Sequence, residues 1–457
     1  MTLDTAIHTG TDLLTATSDA PDLRMDLPGP NAAAIIARDE AVTSPSLTRL
    51  YPLVVSKARG CVLEDVDGNR FLDFNAGIAV VAAGHAHPAV NAAIHSQVDD
   101  VLHYCSSDFY LPVYADLCER LTALAPMTSP GGTKAFLCNS GTEAVEAAIK
   151  LARHRTRRPN VIAFFGAFHG RSLGSLSLTA SKVRQRAGFG IVTPGSFHAP
   201  YWDPYHPDTM TGADYIEQVL FTKLTDPADV AAIFVEPIQG EGGYIVPPPG
   251  WLTKIRDLCD RHGIVLVVDE VQSGIGRTGS MWACAPRPDA GDAGEDTGGV
   301  EPDIMCIGKG LASGLPLAGI IAKAELMDWE PGGHGSTFGG NPVACAAALA
   351  TVSLVVSELA DNAARVGAHL LGALGELQAV QPLLTQIRGR GLMIGLDLPD
   401  HDASEELQKA CFRRGLLTLT CGERSLRLAP PLVVTIEQAD VAIGILRDAL
   451  AAMAVTR

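Results

Sequence analysis

From about residue 134 onward, short continuous apolar runs alternate with segments that carry their apolar residues at helical spacing. The runs at 135–138, 161–165, 231–235, 264–268 and 304–307 are apolar on both faces, and each gives way to a polar residue or a glycine. Strands of that kind, separated by helices, predict an α/β fold with a mostly parallel sheet covered on both sides. Such sheets bind ligands at the carboxyl ends of their strands, so the residues that close each run are the candidates for chemistry.

Before this region the pattern is different. Residues 1–25 are rich in Thr, Asp and Ala without periodicity, and are expected to form a mobile extension. Residues 60–74 alternate well enough for two short strands joined at Asp67-Gly68-Asn69, a β-hairpin. Gly84-His85-Ala86-His87-Pro88 reads as a helix start with proline in the first turn; its two histidines are read as turn chemistry because no carboxylate or cysteine cluster accompanies them. Another helix begins after Asn341-Pro342 and runs through about Leu359, and the last hundred residues return to mixed helix and strand at 393–396, 416–419 and 426–428. The expected division is residues 26–85 as the N-terminal part of a small domain, 86–345 as a large domain and 346–457 as the C-terminal small domain. A Pro-, Gly- and Asp-rich stretch at 285–302 is expected to be a surface insertion.

Composition narrows the function classes. The chain has 457 residues, enough for two or three domains or subdomains, with 47% hydrophobic residues and a formal net charge of −16. That charge gives no basic footprint for nucleic acid or an anionic membrane surface. Ten scattered cysteines without a Cys-x-x-Cys pair suggest neither a disulfide framework nor a zinc site, and no metal is expected. No uninterrupted apolar stretch nears the roughly 20 residues of a membrane helix, and the start lacks a signal-peptide layout. A cytoplasmic location is therefore expected.

Lys309, between Gly308 and Gly310 after an apolar run, has almost no charged neighbours in sequence. Desolvation there would lower its pKa, and a neutral amine is what a Schiff-base lysine needs. Asn139-Ser140-Gly141-Thr142-Glu143 opens a helix with Val145, Ala148, Ile149 and Ala152 on one face, and reads as a phosphate site at a helix N-terminus or as a capping box. Asp269 ends a buried strand and needs a cation or strong donor, such as a protonated pyridine nitrogen. Gly274-Ile275-Gly276-Arg277-Thr278-Gly279 fits a dinucleotide fingerprint literally, but follows an acidic strand end and precedes no helix-period run. Phe168-His169-Gly170-Arg171 offers an aromatic ring, an imidazole and a guanidinium. Glu236 and Glu241 close another strand in a glycine-rich loop. Arg427, in an apolar context, needs an anion, for which Glu241 is a candidate.

Together these motifs resemble the class III (subgroup II) aminotransferases, pyridoxal phosphate enzymes of fold type I, over roughly residues 28–450. Five motifs stand in that family's order: 139–143, 168–171, 236–243, 267–279 and Lys309. The resemblance implies a large domain with a mostly parallel seven-stranded sheet between helices and a small α/β domain formed by both chain ends. It implies pyridoxal 5′-phosphate joined to Lys309, which would also shuttle a proton. Asp269 would keep the pyridine nitrogen protonated, supported by His169; Phe168 and Val271 would sandwich the ring; and Gln272 would reach the phenolic oxygen. Gly141 and Thr142 would bind the phosphate, and Thr337 would reach the phosphate of a neighbouring subunit, so a homodimer or larger assembly is implied.

For substrate, the resemblance is closest to 4-aminobutyrate aminotransferases. There Arg171 would bind the distal carboxylate of an ω-amino acid, with Ile78 shaping the pocket. Arg427 would bind the α-carboxylate of 2-oxoglutarate or glutamate, and Glu241 would neutralise it during the other half of a ping-pong cycle. Acetylornithine, ornithine and lysine aminotransferases, and amino-acid racemases of the same group, share most of these positions. Racemases of the group are expected to place an aspartate near the position of Glu241, so glutamate there favours transamination. A nicotinamide-dependent oxidoreductase built on Gly274 to Gly279 is the reading from another class.

Overall fold

A computed structural model describes residues 20–190, 193–285 and 299–456. Near the N-terminus, helix α1 (Pro30–Glu40) is followed by strands β1 (Val55–Arg59), β2 (Val62–Asp65) and β3 (Arg70–Asp73), then by helices α2 (Pro88–Asp100) and α3 (Pro112–Ala123). β2 and β3 form the expected hairpin, with Leu63 opposite Phe71. Of the extension expected over 1–25, residues 1–19 lie outside the described residues. Residues 20–25 are fastened to the hairpin: the Asp22 and Arg70 amides donate to each other's carbonyls, and the amides of Arg24 and Met25 donate to Asn69 Oδ1 at 2.8 and 3.1 Å.

The central sheet contains β4 (Thr133–Cys138), β5 (Asn160–Phe164), β6 (Ser196–Ala199), β7 (Val230–Val235), β8 (Val265–Asp269), β9 (Ile304–Ile307) and β10 (Ala318–Lys323). Their order is β4-β10-β9-β8-β7-β5-β6. β10 is antiparallel to both its neighbours, and the other six strands point the same way. The apolar runs of the sequence are thus strands of a seven-stranded, mostly parallel sheet. Period-two alternation divides their side chains between two cores. Val161, Ala163, Phe234, Val267 and Ile304 face one layer with helix α4 (Gly141–Thr156). Ile162, Phe164, Ile233, Val235, Leu266 and Val268 face the other, with Trp251, Leu252, Ile255 and Leu258 of α5 (Trp251–His262).

Asn341 caps α6 (Pro342–Leu354), which runs through a wide turn into α7 (Ala360–Val380). The run 342–380 is long and apolar enough by composition to cross a membrane, but its apolar residues join the main core and α6 packs on α2 and α3. The C-terminal part holds β11 (Gln386–Arg390), β12 (Met393–Asp397), helix α8 (His401–Phe412), β13 (Leu416–Leu417), β14 (Leu419–Cys421), β15 (Ser425–Leu428) and helix α9 (Ile436–Thr456). β13 pairs in parallel with β3, Leu416 opposite Leu72, so both ends of the chain share one sheet. The other sheet runs β11-β12-β15-β14.

Residues 286–298 of the stretch expected as an insertion lie outside the described residues; the Val300 amide donates to the Cys284 carbonyl beside it. The Gly274 to Gly279 match opens no helix. It is a turn packed against the C-terminal part: a Cβ on Gly279 would meet Ala364 at 2.9 Å, and the buried Arg277 donates to the carbonyls of Leu392 and Pro430. Its glycines serve close packing rather than a nucleotide. His85, at the other motif read as turn chemistry, lies 2.8 Å from Asp73 Oδ2, and His87 caps α2.

Candidate active site

The candidate residues converge because the six co-directed strands end on one edge of the sheet. β4 delivers Gly141 and Thr142, β5 delivers Phe168, His169 and Arg171, β7 delivers Glu236 and Glu241, β8 delivers Asp269, Val271 and Gln272, and β9 delivers Lys309. β8 and β9 are adjacent, with Asp269 opposite Cys306, so the acid and the lysine leave neighbouring strand ends.

At the floor, Asp269 is 5% exposed and its Oδ2 lies 2.7 Å from His169 Nδ1. Its Oδ1 accepts the Val271 amide at 3.0 Å. Burial works against a charged imidazole at His169, but the hydrogen bond and charge of Asp269, with Glu236 behind them, outweigh it and raise the pKa. The same hydrogen bond fixes the orientation of the Asp269 carboxylate at the bottom of the site. Around Lys309, burial lowers the pKa and the positive charge of Arg427 adds to this, against the opposing pull of Asp269 and Glu236. Its φ of 37° is a left-handed conformation for a lysine, a strain of about 1–3 kcal/mol that the surrounding core sustains.

Ser140 and Glu143 form a full capping box at the start of α4, and the Asn139 amide also donates to Glu143 at 2.6 Å. The cap is present, and it does not use up the helix start: the Gly141 and Thr142 amides take no hydrogen-bond partner among the described residues. Gly141 has no room for a side chain, since a Cβ would meet Val271 at 2.9 Å. Val271 therefore stands between the helix start and Gly308, with Phe168 on the same edge of the sheet. Thr142 Oγ1 bonds with the hydroxyls of Ser172 and Ser175 at 2.7 and 2.6 Å. Gln272 Oε1 accepts from the buried Tyr244 hydroxyl at 2.9 Å.

The rim is looser. Arg171 is exposed, with its guanidinium carbon 5.8 Å from the centre of the Phe168 ring. Ile78 is 44% exposed at φ 68°, within a left-handed turn that is unusual for a β-branched residue. Thr337 is exposed on the loop between β10 and α6; the neighbouring Ser336 accepts from Asn139 Nδ2 at 3.2 Å, which ties that loop to the end of β4. Glu241 Oε2 lies 3.3 Å from Arg427 Nη2, while Arg427 Nε and Nη1 are buried without a partner. The pair anticipated from burial alone is present.

Sequence reasoning missed two contributors, Tyr244 and Lys182, and found a third, Glu236, without giving it a role. Glu236 is buried, accepts the amides of Phe168 and Gly240 at 3.3 and 3.1 Å, and is pushed up to about 7 by burial, with Asp269 adding to the shift and His169 opposing it. Its place at the end of an apolar strand, like that of Asp269, was the available signal. Tyr244 stacks under Arg427 at 5.9 Å, and Lys182 lies 3.0 Å from Glu241 Oε1. Lys182 carries no sequence signal, because it reaches the site from the connection between β5 and β6, whereas Tyr244 follows Glu241 in the same loop.

These groups define a site for a small, phosphorylated, electron-accepting aromatic aldehyde. Asp269 suits a ring nitrogen, the unspent amides at α4 suit a phosphate, and Lys309 suits the carbonyl carbon. The chain matches the class-III aminotransferase family over residues 43–450 and belongs to it; it is a pyridoxal-phosphate-dependent aminotransferase. It is 38% identical over 446 residues to a 4-aminobutyrate aminotransferase of Mycobacterium tuberculosis, covering 93% of this chain and 97% of that one. It is 35% identical over 452 residues to an alanine/serine racemase of Pyrococcus horikoshii, covering 94% and 92%. A structure of the ornithine aminotransferase of Toxoplasma gondii, with pyridoxal phosphate at partial occupancy in its active site, superposes with a TM-score of 0.81 at 32% identity, covering 96% and 97%.

Proposed function

We propose that the enzyme transfers the amino group of an ω-amino acid, best read as 4-aminobutyrate, to 2-oxoglutarate in two half-reactions on one site. The observation that carries this reading is the unequal pair of arginines. Arg171 is exposed above Phe168 and suits the distal carboxylate of an extended donor. Arg427 is buried and masked by Glu241. A masked Arg427 tolerates the uncharged end of an ω-amino acid; an unmasked one needs the α-carboxylate of a 2-oxo acid. The similarity to a 4-aminobutyrate aminotransferase over nearly the whole chain agrees with it.

The cofactor, when bound, supplies the carbonyl carbon that takes the amino group and a ring that accepts electrons. Asp269, oriented by His169, would hold the ring nitrogen; Phe168 and Val271 its faces; Gln272 its phenolic oxygen; and Gly141 and Thr142, with Thr337 from a second copy of the chain, its phosphate. A homodimer in the cytoplasm belongs to this proposal. Lys309 Nζ, whose pKa is lowered chiefly by burial, would take the proton from the amino-bearing carbon of the donor.

A racemase is the second reading, favoured by the similarity to an alanine/serine racemase. It needs a base on the far face of the reacting carbon. Glu241 is a poor one: burial alone would raise its pKa, but Arg427 and Lys182 more than offset this and lower it. A panel of amino donors with 2-oxoglutarate, read by glutamate release, tests the proposal, and 4-aminobutyrate is expected to lead it. Formation of D-amino acid from single L-amino acids without a 2-oxo acid, at a rate matching or exceeding that transfer, would overturn it.

A further inference from the structure

Glu241 is shared between two cations from opposite sides. Its Oε1 takes Lys182 Nζ at 3.0 Å, the shorter contact, and its Oε2 takes Arg427 Nη2 at 3.3 Å. Lys182 stands in the connection between β5 and β6, whereas Arg427 comes from β15, so the carboxylate bridges the large sheet's loops to the C-terminal part. The Glu241 backbone is anchored, because its carbonyl accepts the Gly422 amide at 2.7 Å, so a change of partner falls to its side chain. Arg427 presents two buried nitrogens, Nε and Nη1, with no partner, so the guanidinium is half-used even while masked.

We propose that Lys182 is a positioning residue that sets acceptor specificity, an inference that rests on the masking role given to Glu241 above. A 2-oxo acid with a second carboxylate can take Arg427 only if Glu241 lets go, and a released carboxylate in a largely buried pocket is costly unless another cation holds it. Lys182 is that cation. It already carries one oxygen of Glu241, so rotation of the side chain toward Lys182 frees Arg427 without leaving any charge unpaired. When the donor with an uncharged end occupies the site, the carboxylate returns to bridge both. Without Lys182 the Glu241–Arg427 pair becomes exclusive, and the acceptor must displace it against the full cost of stranding a carboxylate.

The test is a double-mutant cycle on the pyridoxal-phosphate-loaded enzyme, with the dissociation constant of glutarate measured by calorimetry and the KM values of 2-oxoglutarate and 4-aminobutyrate by kinetics. Lys182→Met should weaken glutarate and raise the 2-oxoglutarate KM about tenfold, shifting the ratio of the two KM values by a similar factor, and Lys182→Arg should recover most of the loss. In a Glu241→Gln background the same Lys182→Met change should alter glutarate binding less than threefold. Equal loss in both backgrounds would mean that Lys182 meets the substrate directly, and equal loss for donor and acceptor would mean a general structural role; either result overturns the proposal. Glutarate binding in the parent enzyme that is indifferent to Arg427→Gln would overturn the masking reading together with it, whereas binding that depends on Arg427 but not on Lys182 would sink this inference alone.

Discussion

The floor and the rim of the site are built differently. The floor, made of Asp269, His169, Glu236 and Lys309, sits at the ends of β5, β7, β8 and β9 or within a few residues of them, and its acids and imidazole are buried and hydrogen-bonded to one another or to backbone amides. The residues expected to recognise substrate at the rim, Ile78 and Arg171, are carried by loops and are exposed. Glu241 and Arg427 lie between, paired but not saturated. On the proposed roles, chemistry common to every substrate would sit where packing fixes geometry, and recognition that distinguishes substrates where side chains are less constrained.

This contrast can be broken or sharpened by substitution, starting at the floor. Lys309→Ala should lower turnover by at least about a thousandfold, since a positioned proton-transfer group alone contributes roughly 10²–10⁴ and in the proposed role this residue would also hold the cofactor. Steady-state rates within tenfold of the parent would remove Lys309 from the centre. Asp269→Asn should come next, with a loss of about a hundredfold or more and weaker cofactor retention, read from the visible spectrum after dialysis, because a neutral amide cannot keep a ring nitrogen protonated.

At the rim the effects should be smaller and should depend on substrate. Arg171→Ala should cut kcat/KM for 4-aminobutyrate by about tenfold to a hundredfold, the range of a lost charged hydrogen bond, and change an amine donor without a carboxylate far less. Equal losses for both donors would take Arg171 out of carboxylate recognition.

The last expected effect is on stability rather than rate, at Glu236. Its folded pKa of about 7 lies above the ordinary 4.5, so its contribution is fully present below the unfolded value and is lost as pH rises through about 7. The change amounts to no more than roughly 3 kcal/mol. In thermal melts of the loaded enzyme, Glu236→Gln should therefore gain on the parent as pH goes from about 4.5 to above 7. A constant gap across that range would show that the carboxyl does not titrate there.

Much of the floor was legible in the sequence because it follows from local pattern. A continuous apolar run must be buried, a parallel sheet gathers its strand ends on one edge, and a polar residue closing such a run arrives at that edge; Asp269 and Lys309 were found in this way, whereas the role of His169 came from the family resemblance. Two strands of the same sheet were not anticipated. β6 lies at the sheet's edge with a half-exposed, polar pattern, and β10 follows the lysine turn without a helical interval to set it apart. Residues 274–279 show the opposite failure, a ligand fingerprint in letters that folds as a packing turn.

The sequence by itself showed which residue types close each strand, and its resemblance to a known family implied the cofactor. Tertiary structure alone decided that Lys182 joins the Glu241–Arg427 pair, that Tyr244 reaches Gln272, and that Glu236 stands beside His169. Those contacts join segments far apart along the chain, and their strength comes from excluded water, a property of the packed molecule that no local run of residues carries.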